Sequence, residues 1–376
     1  MAVDLATKSL LHDKLRFLIT VSGVAFAVTL VFVQVGLFLG LMDNASLTIN
    51  KIPADLWVTS HNTPNVDFAH TFPETYVNRV RSIPGVERAD NLIVWFMNMN
   101  LPNGAVEGTE VYAMEDFPRW SFPWNVQEGN LADLRRGNYF FLDDSAKKRY
   151  GAFEVGEYRE ILGRRLKIIG RTMDAKSFTT TPLTFLDYRL AQSLSPDQLR
   201  GNTTYILVKL APGADVEAAR REIQRRLPYN DVYTRAEFAS RSRSYWIVST
   251  GLGLNMYLTV FLGCLVGIVV VAQTLYTSTM EHIKEFGTVK AIGGGNADIY
   301  AILGKQAAIA AVFGFALGAL MAYAIRPLIY KIDLKLVIPT QFSVIVFFGS
   351  IVLCLAAAMI SFRKVASIDP ALVFRT

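Results

Sequence analysis

Four stretches of the chain carry no charged side chain: Phe17 to Met42, Ser244 to Met280, Gln306 to Ile325 and Leu336 to Phe362. Each supplies the roughly 20 apolar residues that cross about 30 Å of hydrocarbon as a helix, so the pattern predicts four membrane spans. The second stretch is too long for the bilayer alone, since at about 1.5 Å per residue it would exceed about 50 Å. Its outer end is expected to project as a stalk, and Ser242, Ser244, Tyr245, Trp246, Ser249 and Thr250 suit an interfacial girdle there. Ala45 to Asn50 would extend the first span beside it, giving a two-helix stalk. The first span begins too deep and runs too long for a cleaved leader and is expected to remain as a helix.

Between the first two spans, Asp43 to Arg243 changes from helical to alternating periodicity. Ala54 to Thr59 reads as a strand and Pro73 to Ser82 as a helix with Pro73 in its first turn and Val77, Val80 and Ile83 on one side. Asn91 to Leu101 and Val106 to Met114 read as strands joined at the turn Pro102-Asn-Gly104. A second unit follows late: strand Thr203 to Leu210, helix Val216 to Leu227, strand Asp231 to Thr234. Together they predict a split βαβ sandwich resembling a ferredoxin-like lobe (52–115 plus 203–235), with a β-rich inserted lobe at 117–200. The fold class is therefore an α-helical membrane protein with four transmembrane helices and a large α+β extracytoplasmic domain between helices 1 and 2. The aromatic run Phe117-Pro-Arg-Trp-Ser-Phe-Pro-Trp124 is either a binding surface or the filling of the seam between lobes, and the second reading is favoured because rings bury much area in any core.

Composition agrees with a membrane protein: of 376 residues, 52% are hydrophobic and only 19% charged, against roughly 25% charged in soluble domains. Basic residues set the orientation. Lys8, Lys14 and Arg16 precede the first span, Lys284, Lys290 and Lys305 lie between the second and third, and Arg363, Lys364 and Arg375 follow the fourth. Basic loops stay in the cytoplasm, which leaves the 43–243 domain outside; Arg326, Lys331 and Lys335 in the short outer loop run against the rule. The expected organisation is an interfacial helix at 1–16, the first span at 17–42, the outer domain at 43–243, stalk and second span at 244–277, a cytoplasmic coupling helix and loop at 278–305, the third span at 306–325, an outer loop at 326–335, the fourth span at 336–362 and a cytoplasmic tail at 363–376. Within Val3 to Leu18 a basic row of Lys8, His12 and Arg16 opposes an apolar side, as in a helix lying on the inner membrane surface; the alternative is the start of the first span. The net charge of +6 is dispersed and meets lipid headgroups, the bilayer rather than nucleic acid being the partner. Cys264 and Cys354 both fall in spans, so no disulfide framework holds the outer domain.

Catalytic motifs are missing. Gly304-Lys305 has Ile299 where a phosphate-binding loop needs glycine, and neither Gly-x-Ser-x-Gly nor His-Glu-x-x-His occurs. His61 and His70, with Asp67 between them, lack the spacing of a recognised metal site and read as solvated loop residues. No catalytic, cofactor-binding or metal residue is assigned. The four charge-free windows contain none of the ionisable residues that mark proton or ion pathways, which disfavours an ion-coupled transporter and leaves energy to come from elsewhere.

After the second span comes Glu281-His-Ile-Lys-Glu-Phe-Gly-Thr-Val-Lys-Ala-Ile-Gly293. In helical projection Tyr276, Met280, Ile283, Phe286 and Gly287 share one side, and Glu281, His282, Lys284, Glu285 and Thr288 the other, a charged face suited to seating in a groove of a soluble protein. Gly293-Gly-Gly295 reads as its flexible end. Glu281, Lys284-Glu285-Phe286-Gly287 and Ala291-Ile292-Gly293, in a four-span layout with a large domain after the first span, resemble the FtsX-like permease family, the MacB-type membrane subunits of ABC systems; Asp369-Pro-Ala-Leu372 resembles the family's tail. Phe26 to Gly36, containing Phe32-Val-Gln-Val-Gly36, is most similar to the DevC-type exporter branch. His282 departs from the arginine of many relatives, as does the triple glycine.

The resemblance implies a non-catalytic permease subunit of the inner membrane with its large domain in the periplasm. It implies that Glu281, His282, Lys284, Glu285, Gly287, Lys290, Ala291 and Gly293 couple to a separate ABC ATPase, which binds the ATP, so that this chain holds no cofactor. It further implies a homodimer, a membrane-fusion adaptor and an outer-membrane channel, and export of a lipid, glycolipid or lipophilic drug by mechanotransmission. Transmembrane signalling to a periplasmic cell-wall hydrolase and lipoprotein release are the alternatives within the same architecture. Gly314 and Gly318 would permit close helix approach, within the subunit or across a dimer.

Overall fold

The computed structural model describes residues 14–178, 181–281, 295–332 and 334–365. The chain forms two compact units, Met1–Gly40 with Gly253–Thr376, and Leu41–Leu252.

In the first unit, four helices among the described residues are long and apolar enough to cross a membrane, with spans at Lys14–Asn44, Leu252–Thr277, Ile299–Lys331 and Thr340–Met359. They are called the first to fourth membrane helices. The third, Asn296–Lys331, continues past its expected end at Ile325 with Pro327 inside it. Arg326 and Lys331 therefore lie on a helix end, where Arg326 covers the Tyr330 ring, rather than in a loop. Lipid tails are as apolar as the helices, so association relies on close packing, and small residues make it possible. A methyl group at Gly263 would sit 2.7 Å from Leu30, one at Gly267 2.9 Å from Ala27, and one at Gly318 2.8 Å from Val28. Gly314 likewise faces Val24. The Gly314 and Gly318 face is thus used within the subunit. Thr29 reinforces it, its hydroxyl lying 2.7 Å from the Ala25 carbonyl and 3.1 Å from that of Gly318. At the far end of the first helix, Val337 N–H donates to the Gly36 carbonyl at 3.0 Å.

The second unit is built on a 10-stranded sheet. Its strands are β1 (Leu56–Ser60), β3 (Val86–Asn100), β4 (Val106–Met114), β5 (Val126–Glu128), β6 (Tyr139–Asp143), β7 (Tyr158–Ile161), β8 (Arg164–Thr172), β9 (Leu183–Asp187), β11 (Tyr205–Leu210) and β12 (Asn230–Thr234); β2 (Phe72–Pro73) and β10 (Asn202–Thr203) form a separate pair. The helices used below are α1 (Leu47–Lys51), α2 (Tyr76–Arg81), α3 (Val216–Arg226) and α4 (Arg235–Ser244). Strands run in the order β12-β1-β11-β3, all antiparallel, which is the split βαβ arrangement. Alternation along these strands gives the sheet two apolar faces. Leu56, Val58, Ile206 and Val208 pack with Val77, Val80, Ala219 and Ile223 of α2 and α3, while Trp57, Tyr205 and Leu207 pack with Phe238 of α4. The β-rich insertion joins the same sheet: β9 lies parallel to β4 in the register Tyr112↔Phe185, and β6, β8 and β5 continue outward.

Pro73 was expected in a first helical turn; it stands instead on β2 opposite Asn202, and the helix begins at Tyr76. Proline lacks an N–H, so a two-residue edge pair accommodates it. The aromatic run is core, not surface. Trp120 and Phe122 are fully buried, and the Phe122 ring lies 5.5 Å from that of Phe185. Asp90 anchors it, accepting from Trp120 Nε1 at 2.9 Å and Arg81 Nη2 at 2.8 Å.

The glycine packing gives a direct test. Gly318→Ala should lower bundle stability by about 1–3 kcal/mol through overpacking. Gly349→Ala, with nothing within 4 Å, should be neutral or slightly stabilising. Thermal unfolding of the detergent-purified chain reads both.

Candidate functional site

Of the residues expected to couple to an ATPase, the structure describes Glu281. It is the last residue of the second membrane helix, Leu252–Glu281, is exposed, and pairs with Arg16 near the start of the first. His282, Lys284, Glu285, Gly287, Lys290, Ala291 and Gly293 lie outside the described residues, as do most of the expected interfacial helix 1–16 and the tail from 366. The Arg16–Glu281 pair sets the start of one helix beside the end of the next, as two consecutive antiparallel crossings require. Both side chains meet solvent, so its contribution to stability is small.

Where the stalk was expected, the chain makes a composite of helices. The first membrane helix ends at Asn44 and α1 restarts at Leu47, while α4 is started by a capping box in which Thr234 and Glu237 satisfy each other's backbone N–H groups. Ser242 Oγ donates to the Ala45 carbonyl at 2.6 Å, and Arg243 Nη1 donates to Ser46 Oγ at 2.9 Å. These bonds tie the entry of the outer domain to its exit. After α4 the helix widens into a π turn, Tyr245–Ser249, and Gly251 follows at φ 72°, a left-handed conformation in which glycine has no steric penalty.

Trp246, expected in an interfacial girdle, is buried in this π turn and stacks on Phe178 with ring centroids 3.8 Å apart. Beside it lies a feature absent from the sequence reading: two buried carboxyl groups, Asp67 and Glu110. Asp67 belongs to the loop between β1 and β2, and Glu110 to β4. Burial pushes Asp67 up to about 7, a rise tempered by Glu110 and by Trp246. Glu110 is raised well above the ordinary carboxylate range, first by burial and then by the charge of Asp67. Neither Glu110 oxygen, nor Asp67 Oδ2, nor Trp246 Nε1 makes a well-formed hydrogen bond. Tyr112 and Tyr205 sit beside the pair and are raised by burial and by its charge. A group that can be neutralised by a proton is the cheapest charge to bury, and burial accordingly shifts both carboxyls toward the protonated form. The histidines take no part. His61 is exposed and pairs with Asp231 at 2.9 Å, and His70 is exposed, so both are solvated loop residues.

The signal was a strand apolar on both faces, Val111 and Ala113 opposite Tyr112 and Met114. Glu110 shares its side of the strand with Tyr112 and Met114, both core residues. Two cavities lie elsewhere among the described residues of the outer domain: one of about 120 Å³ is lined by Met114, Phe117, Leu131 and Leu134 among others, and a second is walled by Glu115, Arg135, Asp187 and Arg189.

The chain matches the family model described as the MacB-like periplasmic core domain over residues 17–226, and that described as the FtsX-like permease C-terminal over residues 257–370. It belongs to the MacB/FtsX-type permease family. An ABC transporter permease of Mycobacterium tuberculosis is 25% identical over 372 residues, 98% of each chain, and one of Methanocaldococcus jannaschii is 21% identical over 368 residues, 89% of this chain and 87% of that one. Among solved structures, the periplasmic region of MacB from Actinobacillus actinomycetemcomitans aligns with a TM-score of 0.41 at 13% identity, covering 50% of this chain and 92% of that one. The extracellular domain of YknZ, from Gram-positive bacteria, aligns with a TM-score of 0.37 at 13% identity, covering 48% and 99%. The MacB/FtsX-type permease is thus a multi-pass inner-membrane protein, its 10-stranded domain is periplasmic, and membership among ABC permeases implies an ATPase partner.

The buried carboxyls give this permease an unusual pH response. Unfolded Asp and Glu titrate near about 4, the folded pair higher, so between the two the folded state binds more protons and stability falls as pH rises. The slope is up to about 1.4 kcal/mol per pH unit for each group, running from about pH 4 to about 7 for Asp67 and upward from about pH 4 for Glu110. Glu110→Gln should therefore gain on wild type steadily as pH increases through that window, read as the difference in outer-domain melting temperature.

Proposed function

We propose that this permease couples a separate ATPase, seated on residues 278–296, to the export of a hydrophobic or amphiphilic substrate by mechanotransmission. The observation that supports it best is the second membrane helix itself. It is an uninterrupted α-helix of 30 residues, about 45 Å long, that begins just after the π turn of the periplasmic domain and reaches Glu281, within the coupling segment. A helix resists bending far better than a loop, so displacement imposed at one end is delivered to the other. The charge-free windows of the spans offer no relay for protons or ions, which suits a machine driven through a lever.

In this reading Glu281, His282, Lys284, Glu285, Gly287, Lys290, Ala291 and Gly293 form the contact with the ATPase, which alone binds ATP. The permease is a homodimer. Leu254, Leu258, Phe261, Leu265 and Val269 make an exposed apolar stripe at helical spacing along the second membrane helix, unpartnered among the described residues of the subunit and available to a second copy. A membrane-fusion adaptor and an outer-membrane channel of the DevC-type assemblies complete the path.

Glu285→Ala and Gly287→Leu should each cut substrate exported per ATP hydrolysed by at least about tenfold while membrane insertion is unchanged, since a lost coupling contact of about 1.4 kcal/mol changes an equilibrium tenfold. Transport and ATPase assays on the reconstituted permease–ATPase complex measure it. Normal coupling in both variants would overturn the proposal.

A further inference from the structure

Asp67, Glu110 and Trp246 meet from three separate elements. Asp67 is held in place by its own loop: Phe68 N–H donates to Asn65 Oδ1 at 2.8 Å, and the Tyr205 hydroxyl, fully buried on β11, lies 3.1 Å from the Asn65 carbonyl and 2.9 Å from that of Val66. Glu110 is fixed by the sheet, between Phe96 of β3 and Leu183 of β9. Trp246 arrives from the π turn, wedged between Phe178 and Phe68, whose ring centroid is 5.8 Å away. The groups that act most on the two carboxyls are each other, Trp246, Ser177 and Tyr112, with Tyr205 responding to both; none of these is a cation.

Two carboxyls in this position attract when one carries a proton and repel when neither does, and no arginine, lysine or histidine is among the described groups that act most on the pair. Repulsion has one outlet outside the sheet. Glu110 is locked in the middle of the sheet, whereas Asp67 rides on a loop whose next residue, Phe68, packs on Tyr245 and Trp246 and is itself exposed.

We propose that Asp67, Glu110 and Trp246 form a proton-operated latch on the π turn: a proton shared by the two carboxyls holds the Asn65–Phe68 loop and Trp246 in place, and its loss to solvent releases both. In the latched state one carboxyl O–H donates to the other carboxylate and the indole N–H faces Asp67. In the released state water enters between the carboxylates, Phe68 leaves Trp246, and the turn ahead of Gly251 and the second membrane helix loses its packing. An acidic periplasm keeps the turn rigid and an alkaline one loosens it.

Hydrogen exchange on the full-length permease in detergent, at about pH 6 and about pH 9 and corrected for the intrinsic rate, tests the latch on peptides covering 65–68 and 245–249. Wild type should exchange at least about tenfold faster at the higher pH in both segments, and Glu110→Gln and Asp67→Asn less than about twofold faster. Equal protection of wild type at both values, or wild-type pH dependence in the variants, would overturn it. So would restoration of protection at the higher pH by added calcium, which would make the pair a cation site. Should a variant fail to fold, the wild-type comparison still decides, together with infrared spectroscopy: a protonated-carboxyl band at neutral pH is required, and its absence sinks the latch.

Discussion

The membrane unit depends on how closely the first helix is approached by its neighbours. Within lipid there is no hydrophobic gain from pairing two apolar helices, so what holds them is contact at short range. Gly263 and Gly267 on the second helix and Gly314 and Gly318 on the third each present bare backbone where Leu30, Ala27, Val24 and Val28 of the first helix stand. Two helices thus pack on the same central one, and Thr29 adds a hydrogen bond to the Gly318 carbonyl that is accessible only because no side chain intervenes. The large apolar side chains of the second helix are left on its outside.

The periplasmic unit uses the opposite strategy. It buries large rings and secures them with a few polar anchors. Trp120 donates to Asp90, which Arg81 neutralises, so that carboxylate is both paired and hydrogen-bonded. Asp143 is held by the Thr172 hydroxyl and by the N–H groups of Ser145 and Ala175. Asp67 and Glu110 have no comparable donors, and the contrast is instructive. A protein that satisfies its other buried acids so fully has retained two it does not satisfy, where an apolar pair of similar volume would be as stable or more so.

Legibility in the sequence followed the range of the forces involved. The spans were legible because excluding charge from hydrocarbon is a local rule, written in Phe17 to Met42 and its three counterparts. The strands on either side of the insertion were legible from alternation, and their pairing from the order of elements. Pro73 was misplaced because its partner, Asn202, is remote in sequence. The π turn was invisible for the same reason, since Trp246 is drawn inward by Phe178. Asp67 looked like a loop residue between two histidines, and Glu110 like one more acid in a strand that also carries Glu107. Only the apolar residues that follow it on both sides of the strand, Val111 to Met114, separated it from a solvated residue, and they do not reveal that a second acid comes to meet it.

The position of the π turn ties these observations together. A π turn widens the helix by shifting its hydrogen bonds from i+4 to i+5, a less stable arrangement that persists where surrounding packing compensates. Here the compensation is one stack of rings, Phe178 on Trp246 with Phe68 and Tyr245 beside it. The residue that carries Phe68 into the stack is adjacent to the buried acid. In the proposed latch the packing of the turn is conditional on the charge of its neighbour, whereas the α-helix that begins at Leu252 satisfies its own backbone and is not. A rigid lever preceded by a conditional turn is the arrangement expected if motion is to be permitted at one place along the chain and transmitted everywhere else.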